Sequence, residues 1–201
     1  MGDDGFGQTL KTSLQKNGVD ISGVRKFKNQ MSGTCSVFVD AFTASSREIG
    51  FPGANTNWKP TEQDSVQCLT GKDNQIPHFI VCHLETKVET VEAILATASK
   101  HGVETLLNPS PVSNIESKHY KNITHLIVNE TEAAELSPQD KEELERLEEY
   151  KEAAKYFLSQ GVKNVVITVG EKGAYYASKT GDEGLVPAVE PVIIRDATGA
   201  G

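Results

Sequence analysis

The run HFIVCHLETKVETVEAILATASKHGVETLL, His78 to Leu107, decides the fold. Phe79-Ile-Val-Cys82 is a continuous apolar run of strand length, which predicts a buried strand. Behind it, Val88, Val91, Ile94, Leu95 and Ala98 recur at helical spacing and share one face, and Gly102 supplies the stop. Val103 to Leu107 then predicts a second strand. A strand, an amphipathic helix and a strand joined by short Gly-bearing turns is the repeating unit of a parallel sheet.

The alternation continues downstream. His125-Leu-Ile-Val128 predicts a third strand, and Asn164-Val-Val-Ile-Thr-Val169 a fourth. Between them a charged helix is expected from about Asp140 to Gln160, with Leu144, Leu147, Ala154, Phe157 and Leu158 inward and Gly161 closing it. Gly173 to Ser178 reads as a hairpin partner of the fourth strand. In parallel sheets ligands bind beyond the carboxyl ends of the strands. That rule singles out Glu85, Asn108, Asn129 and Thr168 to Gly170. Upstream the pattern is less regular. Phe6 to Asn17 predicts a helix ending at Gly18, Thr34 to Asp40 a half-buried strand, and Arg47 to Phe51 its antiparallel partner. Trp58 to Gln75 is polar and carries no assignable pattern.

Composition narrows the function classes. The 201 residues are 37% hydrophobic and 24% charged, an ordinary globular balance that allows one real core. A net charge of −8 argues against nucleic acid or an anionic membrane as partner, since both need clustered Lys and Arg. Three cysteines, Cys35, Cys68 and Cys82, lack metal-ligand spacing and read as reduced thiols. No stretch approaches the length of a membrane span and no signal pattern opens the chain, which points to the cytoplasm, with the nucleus also open.

Two segments could carry chemistry. Arg195-Asp-Ala-Thr-Gly-Ala-Gly201 follows a strand with small residues whose backbone N–H groups could crowd around an anion. Alone, such a run is better read as a plain turn. Asn129-Glu-Thr-Glu132 follows a strand too. Asn129 there is either an N-cap with Glu132 as its capping-box partner, or Glu132 is a carboxylate that orders Mg²⁺-bound waters beside phosphate oxygens. Glu85 either accepts from substrate hydroxyls or faces solvent. No Walker-type phosphate loop is present.

In order along the chain, Gly2-Asp-Asp-Gly-Phe-Gly7, Phe51-Pro-Gly-Ala-Asn55, Leu106-Leu-Asn-Pro-Ser-Pro111, Asn129-Glu-Thr-Glu132, Ile167-Thr-Val-Gly170 with Gly173, and Asp196-Ala-Thr-Gly-Ala-Gly201 resemble the ribokinase family, the PfkB-type carbohydrate kinases. The resemblance implies an α/β, ribokinase-like fold: a mainly parallel sheet flanked by helices, with a small antiparallel lid at about residues 32–52, in one domain over residues 1–201. It implies ATP-dependent phosphorylation of a sugar, D-ribose to D-ribose 5-phosphate, with Mg²⁺ and K⁺. By position, Glu85 matches a sugar contact, and Asn129, Thr168, Gly170 and Gly173 match nucleotide contacts. Glu132 matches the acidic end of the Mg²⁺-tuning motif. Asp196 and the Thr198 carbonyl match a monovalent-cation site, and Gly199, Ala200 and Gly201 the anion hole.

The departures set further expectations. In the family a catalytic aspartate follows Gly-Ala-Gly at once, whereas this sequence stops at Gly201. A family segment with the first sheet strand and a sugar-gripping aspartate precedes the position of Met1. Ala44-Ser-Ser-Arg47 stands where many members have Gly-Glu-Asn. The expectation is therefore a fold incomplete at both ends and inactive as it stands. The alternatives are a kinase for another sugar or nucleoside and a non-catalytic pseudokinase remnant. Small-molecule sugar and ATP are the expected partners, with a homodimer through the lid in the full-length form.

Overall fold

Asp4 opens the first helix, α1 (Gly5–Lys16), by accepting the Gly7 N–H at 2.8 Å. The same carboxylate accepts the Ser32 N–H and Ser32 hydroxyl, each at 2.7 Å, tying the helix start to a residue 28 positions away. These bonds, Gly7 first, hold the Asp4 carboxyl below the usual range. The computed structural model describes residues 1–40, 42, 46–59, 69–70, 75–140 and 142–189. They form two units, one of Met1–Pro77 with Glu85–Thr90 and one of His78–Leu84 with the residues from Val91 onward.

In the first unit, β1 (Thr34–Val39) pairs antiparallel with β2 (Ser46–Phe51), Thr34 opposite Phe51 and Val39 opposite Ser46. This is the small antiparallel pair expected at residues 32–52. The expected half-burial is corrected, because all six residues of β1 are exposed. The register puts Phe38, Ile49 and Phe51 on one face, exposed by 60%, 68% and 54%. A two-stranded ribbon has no second layer of its own to bury that face against. After β2, a 3-10 helix at Gly53–Asn57 buries Ala54, and Thr86 donates to the Asn55 carbonyl at 2.6 Å. Most of the Trp58–Gln75 stretch, with Cys68, lies outside the described residues, as do Ala44 and Ser45.

The second unit holds the larger sheet. β3 (Phe79–His83) is followed by α2 (Val88–Lys100), β4 (Glu104–Asn108) and β5 (His125–Asn129). Then come α3 (Glu130–Leu136), α4 (Leu147–Ser159), β6 (Asn164–Thr168), β7 (Ala174–Ser178) and β8 (Glu183–Val186). The strands pair in chain order, β3 to β6 parallel and β7 and β8 antiparallel. All four predicted parallel strands and the β7 hairpin partner are thereby found. Leu95 of α2, Leu107, Leu126, Val128 and Ile167 of the sheet, and Phe157 of α4 are fully buried and form the core.

Two expectations about this unit are corrected. The run Phe79 to Cys82 is not a fully buried strand: Phe79 and Val81 are 41% and 65% exposed, because β3 stands at the sheet edge. The charged helix begins at Leu147 rather than near Asp140. The Glu149 carboxylate captures the Glu145 and Arg146 backbone N–H groups at 2.9 and 3.2 Å, and Arg146 Nε donates to it at 2.7 Å. That cap fixes the helix start at Arg146. Leu144 is buried from the turn before the helix, while Tyr150 and Ala153 fill the inner face and Leu147 is left half exposed. Among the described residues, no helix is long and apolar enough to cross a membrane.

Candidate functional site

The carboxyl ends of β4, β5 and β6 bring Asn108, Asn129 and Thr168 to one edge, because the strands are parallel and adjacent. Asn129 stands directly opposite Thr168 in the β5–β6 register. Each end is locked to its neighbour. Asn108 Nδ2 donates to the Ile127 carbonyl at 3.0 Å, and Thr168 Oγ1 reaches the Val128 carbonyl at 3.5 Å.

At Asn129 the chain turns straight into α3, and a full capping box is built. Asn129 Oδ1 accepts the Glu132 N–H at 2.8 Å, and the Asn129 N–H donates to Glu132 Oε2 at 2.9 Å. Of the two readings the sequence left open, the capping one is thus physically present. Glu132 is buried, and the cap engages only Oε2, so Oε1 is not committed by it. The amide nitrogen of Asn129 is likewise not used by the cap.

Past β6, Val169 leads into a single 3-10 turn, Gly170–Lys172, and then Gly173. Gly173 has φ +106°, and a Cβ added there would fall 1.9 Å from the Val186 carbonyl oxygen. Only glycine lets this turn lie against β8. Gly170, at φ +52°, faces Glu130, whose Oε1 would lie 3.6 Å from an added Cβ. Burial pushes the Glu130 carboxyl up from its ordinary value. Sequence reasoning missed Glu130. Its one signal was membership of the Asn129-Glu-Thr-Glu132 run, and its place beside Gly170 depends on a cross-strand neighbour 40 positions away.

The edge therefore offers amide and hydroxyl groups from Asn108, Asn129 and Thr168, two buried or half-buried carboxylates, and a glycine-walled turn. Such a surface suits a polar ligand with phosphate and hydroxyl groups. Glu85 is exposed, two residues beyond the end of β3, and belongs to the first unit. Asp196, Thr198, Gly199, Ala200 and Gly201 lie outside the described residues. Among the described residues no three His, Cys, Asp or Glu side chains are grouped to hold a metal ion. Glu132 is tied to the cap by one oxygen.

A mainly parallel sheet flanked by helices, a separate antiparallel pair and this polar carboxyl edge define the ribokinase-like class of α/β folds. The family model for pfkB family carbohydrate kinases matches residues 1–201, and the chain belongs to that family. It is 35% identical over 209 residues to the ribokinase of Schizosaccharomyces pombe, covering 100% of this chain and 61% of that one. It is 30% identical over 202 residues to the deoxyribokinase of Salmonella typhi, covering 100% and 63%. The chain thus spans about three fifths of the length of these curated relatives. Among solved structures, ribokinase of Thermotoga maritima is similar with a TM-score of 0.71 at 26% identity, covering 96% of this chain and 60% of that one. The ribokinase of Arabidopsis thaliana complexed with ribose and ATP superposes with a TM-score of 0.82 at 21% identity, covering 100% and 63%, a likeness of fold.

Proposed function

We propose that this chain carries part of the machinery of an ATP-dependent sugar kinase of the ribokinase type. It transfers the γ-phosphoryl group of MgATP to the 5-hydroxyl of D-ribose, giving D-ribose 5-phosphate and ADP. One observation carries the reading: in a chain matched by the family over its whole length, Asn129 and Thr168 stand opposite each other at the carboxyl edge with Glu132 capped beside them.

In this reading the Asn129 amide, Thr168 and the turn from Gly170 to Gly173 hold the nucleotide. Glu132 orders the waters of the magnesium that accompanies the triphosphate. Glu85 accepts from a sugar hydroxyl. The backbone N–H groups of Gly199, Ala200 and Gly201 receive the negative charge that builds on the transferring phosphoryl. The bond from the sugar oxygen to phosphorus forms as the bond to the ADP oxygen breaks, and the sugar proton passes to a base. By resemblance that base is the aspartate after Gly-Ala-Gly, and such help is worth ~10²–10⁴ in rate. By resemblance, Asp196 and the Thr198 carbonyl would hold K⁺. The β1–β2 pair serves as lid, and its apolar face suits a lid-to-lid homodimer.

The deoxyribokinase relative favours a second reading, with 2-deoxyribose as acceptor. ADP release measured with ribose, deoxyribose and a nucleoside, with and without K⁺, separates these. A chain extended to the length of its relatives should turn over ribose fastest of the three. Faster turnover of deoxyribose or of the nucleoside than of ribose would overturn the choice of D-ribose. A folded, extended chain inert toward every acceptor would favour the non-catalytic alternative.

A further inference from the structure

We propose that the amino edge of the larger sheet, opposite the candidate site, carries a second anion site that takes a small phosphate-bearing molecule. It is a cavity of about 510 Å³ lined by Lys121, Gly161, Lys163, Asn164, Lys179 and Thr180.

Its three lysines come from three elements that the topology returns to one place. Lys121 lies in the 3-10 helix Ser117–Asn122 before β5, Lys163 just before β6, and Lys179 just after β7. Because β7 runs antiparallel to β6, its last residue comes back to the edge where β6 begins. The backbones are fastened there. The Lys179 N–H donates to the Lys163 carbonyl at 2.8 Å, and the Lys163 N–H to the Ile123 carbonyl at 3.4 Å. Gly161 closes the cluster, since a Cβ on it would sit 2.9 Å from both Cα and Cβ of Lys121. The convergence is thus a property of the framework, not of flexible side chains alone.

Among the described residues no ion pair balances this charge. The net charge is −8, yet among the described residues none of the three lysines makes an ion pair. Asp182, on the turn after Lys179, instead accepts the Thr180 hydroxyl at 2.7 Å and Ser178 at 3.4 Å. None of the six lining residues is a carboxylate. Like charges held close together repel, and a bound anion relieves that repulsion with charge-assisted hydrogen bonds. The Asn164 amide nitrogen reaches the Thr124 carbonyl and His125 Nδ1, each at a long 3.4 Å, and so adds no charge of its own to the lining. The volume is that of a small-molecule site, and the net charge of −8 disfavours a nucleic acid.

Calorimetric titration with inorganic phosphate, pyrophosphate and glycerol phosphate, against chloride at equal ionic strength, tests the site and separates free phosphate from a phosphate ester. Saturable binding is expected, weakened about tenfold or more in the combined Lys121→Gln, Lys163→Gln, Lys179→Gln variant. It should persist in Asn129→Ala, which removes a group at the other edge. The matching triple arginine variant should keep the binding. No saturable binding overturns the site. So does an affinity that survives the three glutamines, falls with Asn129→Ala, or is lost equally with arginine.

Discussion

Asn129 and Glu132 each hold the other's backbone N–H, Oδ1 accepting at 2.8 Å and Oε2 at 2.9 Å. A substitution at Glu132 therefore tests two roles at once, and the choice of replacement separates them. Glu132→Ala should lower stability by about 1 kcal/mol through the lost cap. Glu132→Gln keeps an oxygen that accepts the Asn129 N–H and should cost less than about 0.5 kcal/mol in a urea melt. In a chain of full family length, a fall in Mg²⁺-dependent rate shared by both variants would assign the effect to the charge. A fall confined to alanine would assign it to the cap.

Gly173 and Gly181 both have left-handed φ, +106° and +98°, but only Gly173 is pressed against backbone. Gly173→Ala should cost about 3 kcal/mol or more, since the turn must pull away from Val186. Gly181→Ala, with no heavy atom within 4 Å of its added Cβ, should cost about 1–2 kcal/mol from the dihedral alone. Equal costs in paired thermal melts would show that the Gly173 turn moves freely.

Burial pushes the Cys82 thiol up to about 11 from an ordinary value of 9.0. The folded state thus keeps its proton where the unfolded chain has begun to lose it. The contribution to stability is complete below pH 9 and lost by about pH 11, a change of about 2–3 kcal/mol. Urea melts of the wild type against Cys82→Ala should show the difference between them shrinking over that window. At pH 8, an alkylating reagent should reach exposed Cys35 well before Cys82. Faster labelling at Cys82 would show that β3 opens locally.

The face of the β1–β2 ribbon that carries Phe38, Ile49 and Phe51 should bind anilinonaphthalene sulfonate and promote association. Phe38→Ser with Ile49→Ser should lower dye fluorescence while changing stability by about 0.5 kcal/mol or less, because neither side chain is buried. Undiminished dye binding in the double variant would place the exposed apolar surface elsewhere, with Val81 of β3 the next candidate.

Where a segment's own residues determine its state, the sequence was readable. The face of α2, the strands that became β4, β5 and β6, and the Asn129–Glu132 spacing all depend on neighbours three or four positions away, or on alternation within one strand. What escaped depends on distant partners. Phe79 to Cys82 has the composition of an interior strand, and only its place at the sheet edge exposes Val81. Asp140 to Arg146 has the composition of helix, yet the Glu149 side chain draws the Glu145 and Arg146 N–H groups onto itself and starts α4 later. β8 is four residues long and went unpredicted, since its pairing with β7 follows from the hairpin turn between Ser178 and Asp182. At the candidate site, Asn129 and Thr168 were found by the strand-end rule, and Glu130 was not, because only Gly170 across the sheet gives it a position.

The order β3-β4-β5-β6-β7-β8 has a consequence for how the protein is made. Each strand pairs with the one synthesised just before it, so a template is already present whenever a new strand leaves the ribosome. A sheet whose spatial order shuffled the chain order would leave early strands with open edges until late ones arrived. Here each strand from β4 to β8 adds at the edge left by the strand before it.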